Sequence, residues 1–145
     1  MEKIDVKIKR FDESLPLPAY QTIGAAGFDL YSRLDITIDP GLTTAIPLNV
    51  ALELPPNYWL LLSARSSLHK RGLQPINGVG IIDQDYCGDK DEIKVLLHNY
   101  TSQAVTLKRG ERIAQGVILP RLQANFQAVT MLKNADRGGF GTTGR

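Results

Sequence analysis

The sequence lacks most of what marks out specialised protein classes. It has one cysteine, Cys87, in 145 residues, which excludes an internal disulfide and fits a reducing compartment. No apolar run reaches membrane-spanning length. No repeat or linker interrupts the chain, and the only biased stretch is a glycine-rich end. Charge is nearly balanced, with 17 Lys and Arg against 15 Asp and Glu, too mild a surplus to mark a nucleic-acid binder. The start, Met1-Glu2-Lys3-Ile4-Asp5-Val6-Lys7, alternates charge with apolar residues and has no signal-peptide core. The expectation is a cytoplasmic protein with no membrane and no nucleic-acid partner. Its hydrophobic content of 43% is enough for one real core.

What is present reads as β structure. Ile4, Val6 and Ile8 alternate with Asp5, Lys7 and Lys9, the period of a half-buried strand. Strand-like runs recur at 28–32, 34–38, 43–54, 58–64, 79–82, 93–98, 104–107, 112–119 and 124–129. They are separated by turn residues such as Asp39-Pro40-Gly41, Pro55-Pro56-Asn57 and Lys108-Arg109-Gly110. This pattern predicts an all-β, closed or two-layered antiparallel fold. One segment predicts a helix of a turn or two: Ser66-Ser67-Leu68-His69-Lys70-Arg71-Gly72, with a serine start and a glycine stop. The division expected is a single β domain over 1–136 and a C-terminal tail over 137–145, mobile until something orders it.

Several tempting motifs fail. Gly139-Phe140-Gly141-Thr142-Thr143-Gly144 spells a dinucleotide fingerprint, but no helix can follow it. Asp83, Asp85 and Gly88 begin a calcium loop that lacks its closing glutamate. One cysteine and two histidines at unrelated spacing make no structural zinc site.

Five stretches carry chemistry. In Ile76-Asn77-Gly78-Val79-Gly80-Ile81-Ile82-Asp83, the apolar positions predict backbone buried in a sheet, and the glycines leave it bare for close approach. Asp83 then follows directly, as a turn carboxylate or a general base, and Tyr86 is a packing residue or a flat wall for a ring. In Ala25-Ala26-Gly27-Phe28-Asp29-Leu30, Asp29 is either a solvated carboxylate or one held near a phosphate-bound magnesium ion. Leu60-Leu61-Leu62-Ser63-Ala64-Arg65-Ser66-Ser67 runs an apolar strand into a guanidinium, two hydroxyls and a helix start, a combination suited to an anion. Gln115, in Arg112-Ile113-Ala114-Gln115-Gly116-Val117, shares a face with Ile113 and Val117 by alternation, so its amide needs a structural or ligand partner. The tail carries Arg137, Phe140 and two threonines on glycine-rich backbone, the makings of a lid.

In this order the stretches resemble the five motifs of the trimeric dUTPase family: Ala26-Gly27-Phe28-Asp29-Leu30, Ala64-Arg65-Ser66-Ser67-Leu68, Gly80-Ile81-Ile82-Asp83-Gln84-Asp85-Tyr86, Gly110-Glu111-Arg112-Ile113-Ala114-Gln115, and Arg137 to Gly144. The resemblance implies a jelly-roll-like (β-clip) fold, a homotrimer with shared active sites, and hydrolysis of dUTP to dUMP and pyrophosphate with Mg2+ on the triphosphate. It implies that Asp83 activates the attacking water, and that Tyr86 packs against deoxyribose. Asn77 and the backbone at Gly78 would read uracil. Arg65, Ser66, Ser67 and Gln115 would contact phosphate, and Asp29 would hold the metal's water shell. From the tail, Phe140 would cover the base, while Arg137 and Thr142 would grip the outer phosphates, with Gly141 beside them against the nucleotide. Only two residues separate Arg137 from Phe140, a shorter spacer than the family usually has. The same fold also serves dCTP deaminase, which needs a glutamate where Leu96 stands, and it could serve a non-catalytic nucleotide-sensing regulator.

Overall fold

The computed structural model describes residues 3–139. Its strands are β1 (Lys7–Arg10), β2 (Phe28–Tyr31), β3 (Ile36–Ile38), β4 (Thr43–Pro47), β5 (Val50–Glu53), β6 (Tyr58–Ala64), β7 (Leu73–Pro75), β8 (Gly80–Ile82), β9 (Lys94–Asn99), β10 (Val105–Leu107) and β11 (Arg112–Pro120). They form one four-stranded sheet in the order β2-β11-β6-β8, one three-stranded sheet β4-β9-β7, and the pairs β1-β5 and β10-β3. All pairings are antiparallel. The result is all-β and jelly-roll-like.

The sheets close over one core because alternate residues of each strand point inward. Leu30 of β2, Leu60 of β6, Leu97 of β9 and Leu107 of β10 have no exposed surface, and Ile46, Ile38 and Ile113 join them. Burying each such side chain stabilises the fold by about 1.5–3 kcal/mol. The few buried polar groups are satisfied. Asn99 donates to the carbonyls of Ile38 and Gln103 and accepts from Thr101.

Four expectations change. The run 43–54 is two strands, because Asn49 sits between them at φ 71°. Its amide accepts from the Asp12 N–H and donates to the Asp12 carbonyl, pinning the N-terminal loop. The run 124–129 forms no strand; alternation gives it strand character, but no strand among the described residues pairs with it. Ile76, Val79 and Ile81 are 51%, 43% and 67% exposed instead of buried, since β8 is an edge strand paired only with β6. Finally, Ile113 does not share a face with Gln115. A register shift between Arg112 and Ala114 breaks the alternation, and Ile113 and Ala114 both enter the core. The expected helix is a single 3-10 turn, Leu68–Arg71, preceded by Ser67 without a side-chain cap and closed by Gly72 in the left-handed conformation.

Candidate active site

Three strands of the large sheet bring a polar row to one face. Asp29 of β2 pairs with Gln115 of β11, which pairs with Ser63 of β6, so the three side chains lie side by side. Gln115 donates through Nε2 to the Ala64 carbonyl at 3.1 Å. Its neighbour Gly27 is closely packed, for a Cβ there would lie 3.1 Å from Gln115 Oε1 and 3.2 Å from the Gly116 carbonyl, tight enough that the amide would have to shift. Just past β6 the chain turns, placing Arg65 over this row and exposing Ser66 and Ser67. Neither serine hydroxyl has a partner among the described residues. The turn is held by the Leu68 N–H to the Arg65 carbonyl, and by His69 Nδ1 at 2.6 Å from the Ser66 carbonyl.

Asp29 is buried, 6% exposed, and both its oxygens face guanidinium groups. Oδ1 lies 3.1 Å from Arg65 Nε, and Oδ2 lies 3.2 Å from Arg112 Nη1. Sequence reasoning assigned Arg112 no role. Its signal was available only as a cation within the stretch containing Gln115, because the bulge that turns it toward Asp29 depends on strand register. Among the described residues no group of three His, Cys, Asp or Glu side chains could hold a metal. A hard cation such as Mg2+ keeps several waters and often takes its remaining ligands from substrate phosphates.

Asp83 and Tyr86 lie elsewhere. Asp83 follows directly on β8 and is exposed, with no ion-pair partner among the described residues. The Tyr86 N–H donates to the Asp83 carbonyl at 3.1 Å, closing a turn, and the Tyr86 hydroxyl donates to the Glu92 carbonyl at 3.2 Å. Glu92 is anchored in turn, forming a two-point pair with Arg33 at 2.7 and 3.0 Å and accepting the Asn49 N–H. The turn thus stands on a part-buried ion pair. Asn77 and Gly78 occupy the exposed turn before β8, where Gly78 at φ 73° donates to the Pro75 carbonyl. The Asn77 amide is without a partner among the described residues.

Register shows what one chain cannot do. Ile82 pairs with Leu60, so Asp83 comes level with Trp59, whereas Arg65 leaves the other end of β6 after Ala64. At about 3.3 Å per residue the two backbones are roughly 20 Å apart. A single copy therefore brings together Arg65, Ser66, Gln115 and Asp29, and separately Asp83 with Tyr86. Arg137 is exposed at the end of an arm without strands. Phe140, Gly141 and Thr142 lie outside the described residues.

The antiparallel β-fold thus carries a guanidinium pair about a buried carboxylate, two exposed serine hydroxyls and, remote from them, a carboxylate–tyrosine turn. Comparison with known proteins narrows this. The dUTPase family model matches residues 13–144. The curated deoxyuridine 5'-triphosphate nucleotidohydrolase of Idiomarina loihiensis is 46% identical over all of this chain and 99% of its own length. That of Nautilia profundicola is 44% identical over 97% and 99%. The crystal structure of the dUTPase from Streptococcus mutans superposes with a TM-score of 0.76 at 35% identity, covering 82% of this chain and 98% of that one. The Staphylococcus bacteriophage 80alpha dUTPase with dUPNHPP superposes with a TM-score of 0.85 at 22% identity over 97% and 98%, a likeness of fold. The chain belongs to the dUTPase family.

Proposed function

We propose that this dUTP diphosphatase cleaves dUTP to dUMP and pyrophosphate in a site shared between subunits of a homotrimer, with Asp83 activating a water that attacks the α-phosphorus. The observation that carries the reading is the separation of a phosphate-binding end, Arg65 with Ser66, Ser67 and Gln115, from the Asp83–Tyr86 turn by roughly 20 Å of strand. Association of copies brings the Arg65 end of one against the turn of another. The exposed apolar side chains Ile81 of β8 and Leu122 and Phe126 of the arm favour such association.

Within this scheme Asp83, exposed just past β8, takes a proton from the attacking water, a contribution of about 10²–10⁴-fold. Tyr86, held by Glu92, lies along the deoxyribose where a 2′-hydroxyl would collide. Asn77 and the bare backbone at Gly78 read the uracil edge. The guanidinium of Arg65 and the donors of Ser66, Ser67 and Gln115 fix the phosphates in line, which is most of what phosphoryl displacement needs. Mg2+ on the triphosphate would neutralise charge on the departing pyrophosphate. The tail, 137–145, closes as a lid, with Phe140 over the base and Arg137, Gly141 and Thr142 toward the phosphates. In a cytoplasmic setting such an enzyme limits uracil entry into DNA and supplies dUMP for dTMP synthesis.

The test is pyrophosphate release from dUTP, dCTP, dTTP and UTP, with and without magnesium. Turnover confined to dUTP is expected, and ammonia release from dCTP would point to deamination instead. Asp83→Asn should lower kcat about 10²–10⁴-fold with nucleotide affinity kept. Parental turnover in that variant would remove Asp83 from the role of base.

A further inference from the structure

The side chain of His69 makes a bond that the backbone of the turn leaves open. After β6 the carbonyls of Arg65 and Ser67 accept the N–H groups of Leu68 and Lys70, three residues on, at 3.0 and 3.2 Å. The carbonyl between them, that of Ser66, takes the His69 ring instead, with Nδ1 at 2.6 Å. A carbonyl only accepts, so Nδ1 carries the proton. The ring has a firm base, because the His69 carbonyl accepts the Gly72 N–H at 2.9 Å and the Tyr100 hydroxyl at 2.8 Å. A trans peptide points its N–H away from its C=O, and no peptide among the described residues is cis. Holding the Ser66 carbonyl therefore fixes the direction of the Ser67 N–H. That N–H and the Ser66 N–H have no partner among the described residues, and both serines are exposed.

We infer that His69 is a positioning residue for the polyphosphate: its ring pins the Ser66–Ser67 peptide so that the Ser67 N–H is already presented beside Arg65 when nucleotide arrives. Successive backbone N–H groups suit phosphate oxygens, and a donor whose direction is set in advance loses less freedom on binding. The role asks nothing of the ring toward the nucleotide itself. His69 is exposed, so without its ring water can satisfy the Ser66 carbonyl. The fold then stands while the peptide is free to turn. The inference rests on the proposal that this end of the sheet receives the triphosphate.

Ser66-Ser67 is the only serine–serine pair in the sequence. Protein made with serine isotopically labelled at both carbonyl carbon and amide nitrogen therefore gives one filtered amide resonance, that of Ser67. In the parent this resonance should move on addition of the non-hydrolysable α,β-imido analogue of dUTP. His69→Leu, which keeps bulk but has no donor, should shift or broaden it before any ligand is added. The same variant should bind the analogue about tenfold more weakly, with the midpoint of urea unfolding unchanged. His69→Asn places an amide N–H near the position of Nδ1 and should recover most of the affinity and the parental resonance. His69→Ala carries the comparison if the leucine variant does not fold. Parental affinity in the folded variants without a donor would overturn the inference. So would an asparagine variant as weak as the leucine one, or a parental Ser67 amide that does not respond to the analogue. A parent protein whose Ser67 amide responds but which releases no pyrophosphate from dUTP would defeat the functional reading while leaving this one standing.

Discussion

Asp12 illustrates how a single half-buried side chain ties two distant segments together. Its carboxylate accepts from the hydroxyl and the N–H of Ser14 and from the guanidinium of Arg109, on the turn between β10 and β11. Those bonds, first the Ser14 hydroxyl and then Arg109, hold its pKa down to about 2 from an ordinary 3.8. A carboxylate lowered on folding adds stability that is complete above its unfolded value and is lost as pH falls through the folded one. Thermal unfolding of the parent and Asp12→Asn should therefore differ at pH 5–7, with the parent higher, and converge as pH falls from about 4 to 2. Curves that stay parallel down to pH 2 would assign the difference to something other than ionisation.

At the scale of elements, β11 is one of the two inner strands of the large sheet, paired on both edges. Gly116 lies under the Phe28 ring, and a Cβ there would sit 2.6 Å from Phe28 Cζ and 2.9 Å from Leu60 Cδ1. Gly116→Ala should destabilise the protein by about 1–3 kcal/mol through overpacking, measurable by urea unfolding; a variant as stable as the parent would show that the ring yields freely. Strand β6 was legible in the sequence to the residue, because Leu60 and Leu62 are core positions bounded by a Pro-Pro-Asn turn on one side and Arg65-Ser66-Ser67 on the other. Gly72 was legible as a stop for the same local reason. What could not be read depends on partners distant in sequence. The break at Asn49 serves Asp12, the bulge beside Arg112 serves pairing with β2, and the strand-like alternation of 124–129 has no strand to pair with among the described residues. Of the candidate site, the residue types and their order were legible from local motifs. Which of them meet was not, since that follows from the register of β8 on β6.

The whole molecule has a division that a mixing experiment can read. If the Arg65 end of one copy serves the Asp83 turn of another, two inactive variants should complement each other. Arg65→Ala and Asp83→Asn, dissociated and reassembled together in equal amounts, should regain about a quarter of parental turnover, the chance that a given site draws both intact halves. Turnover that stays at the level of the separate variants would place both residues of each site in one chain. The single tryptophan stands where these parts converge. Trp59 is level with the end of β8 that leads into Asp83, and its indole Nε1 donates to the carbonyl of Pro120 at 3.2 Å, the last residue of β11 and the root of the arm. The polypeptide therefore carries its own fluorophore at the junction of turn and arm. Dilution, reassembly and nucleotide uptake can be followed in the emission of one indole, on unlabelled material and in real time.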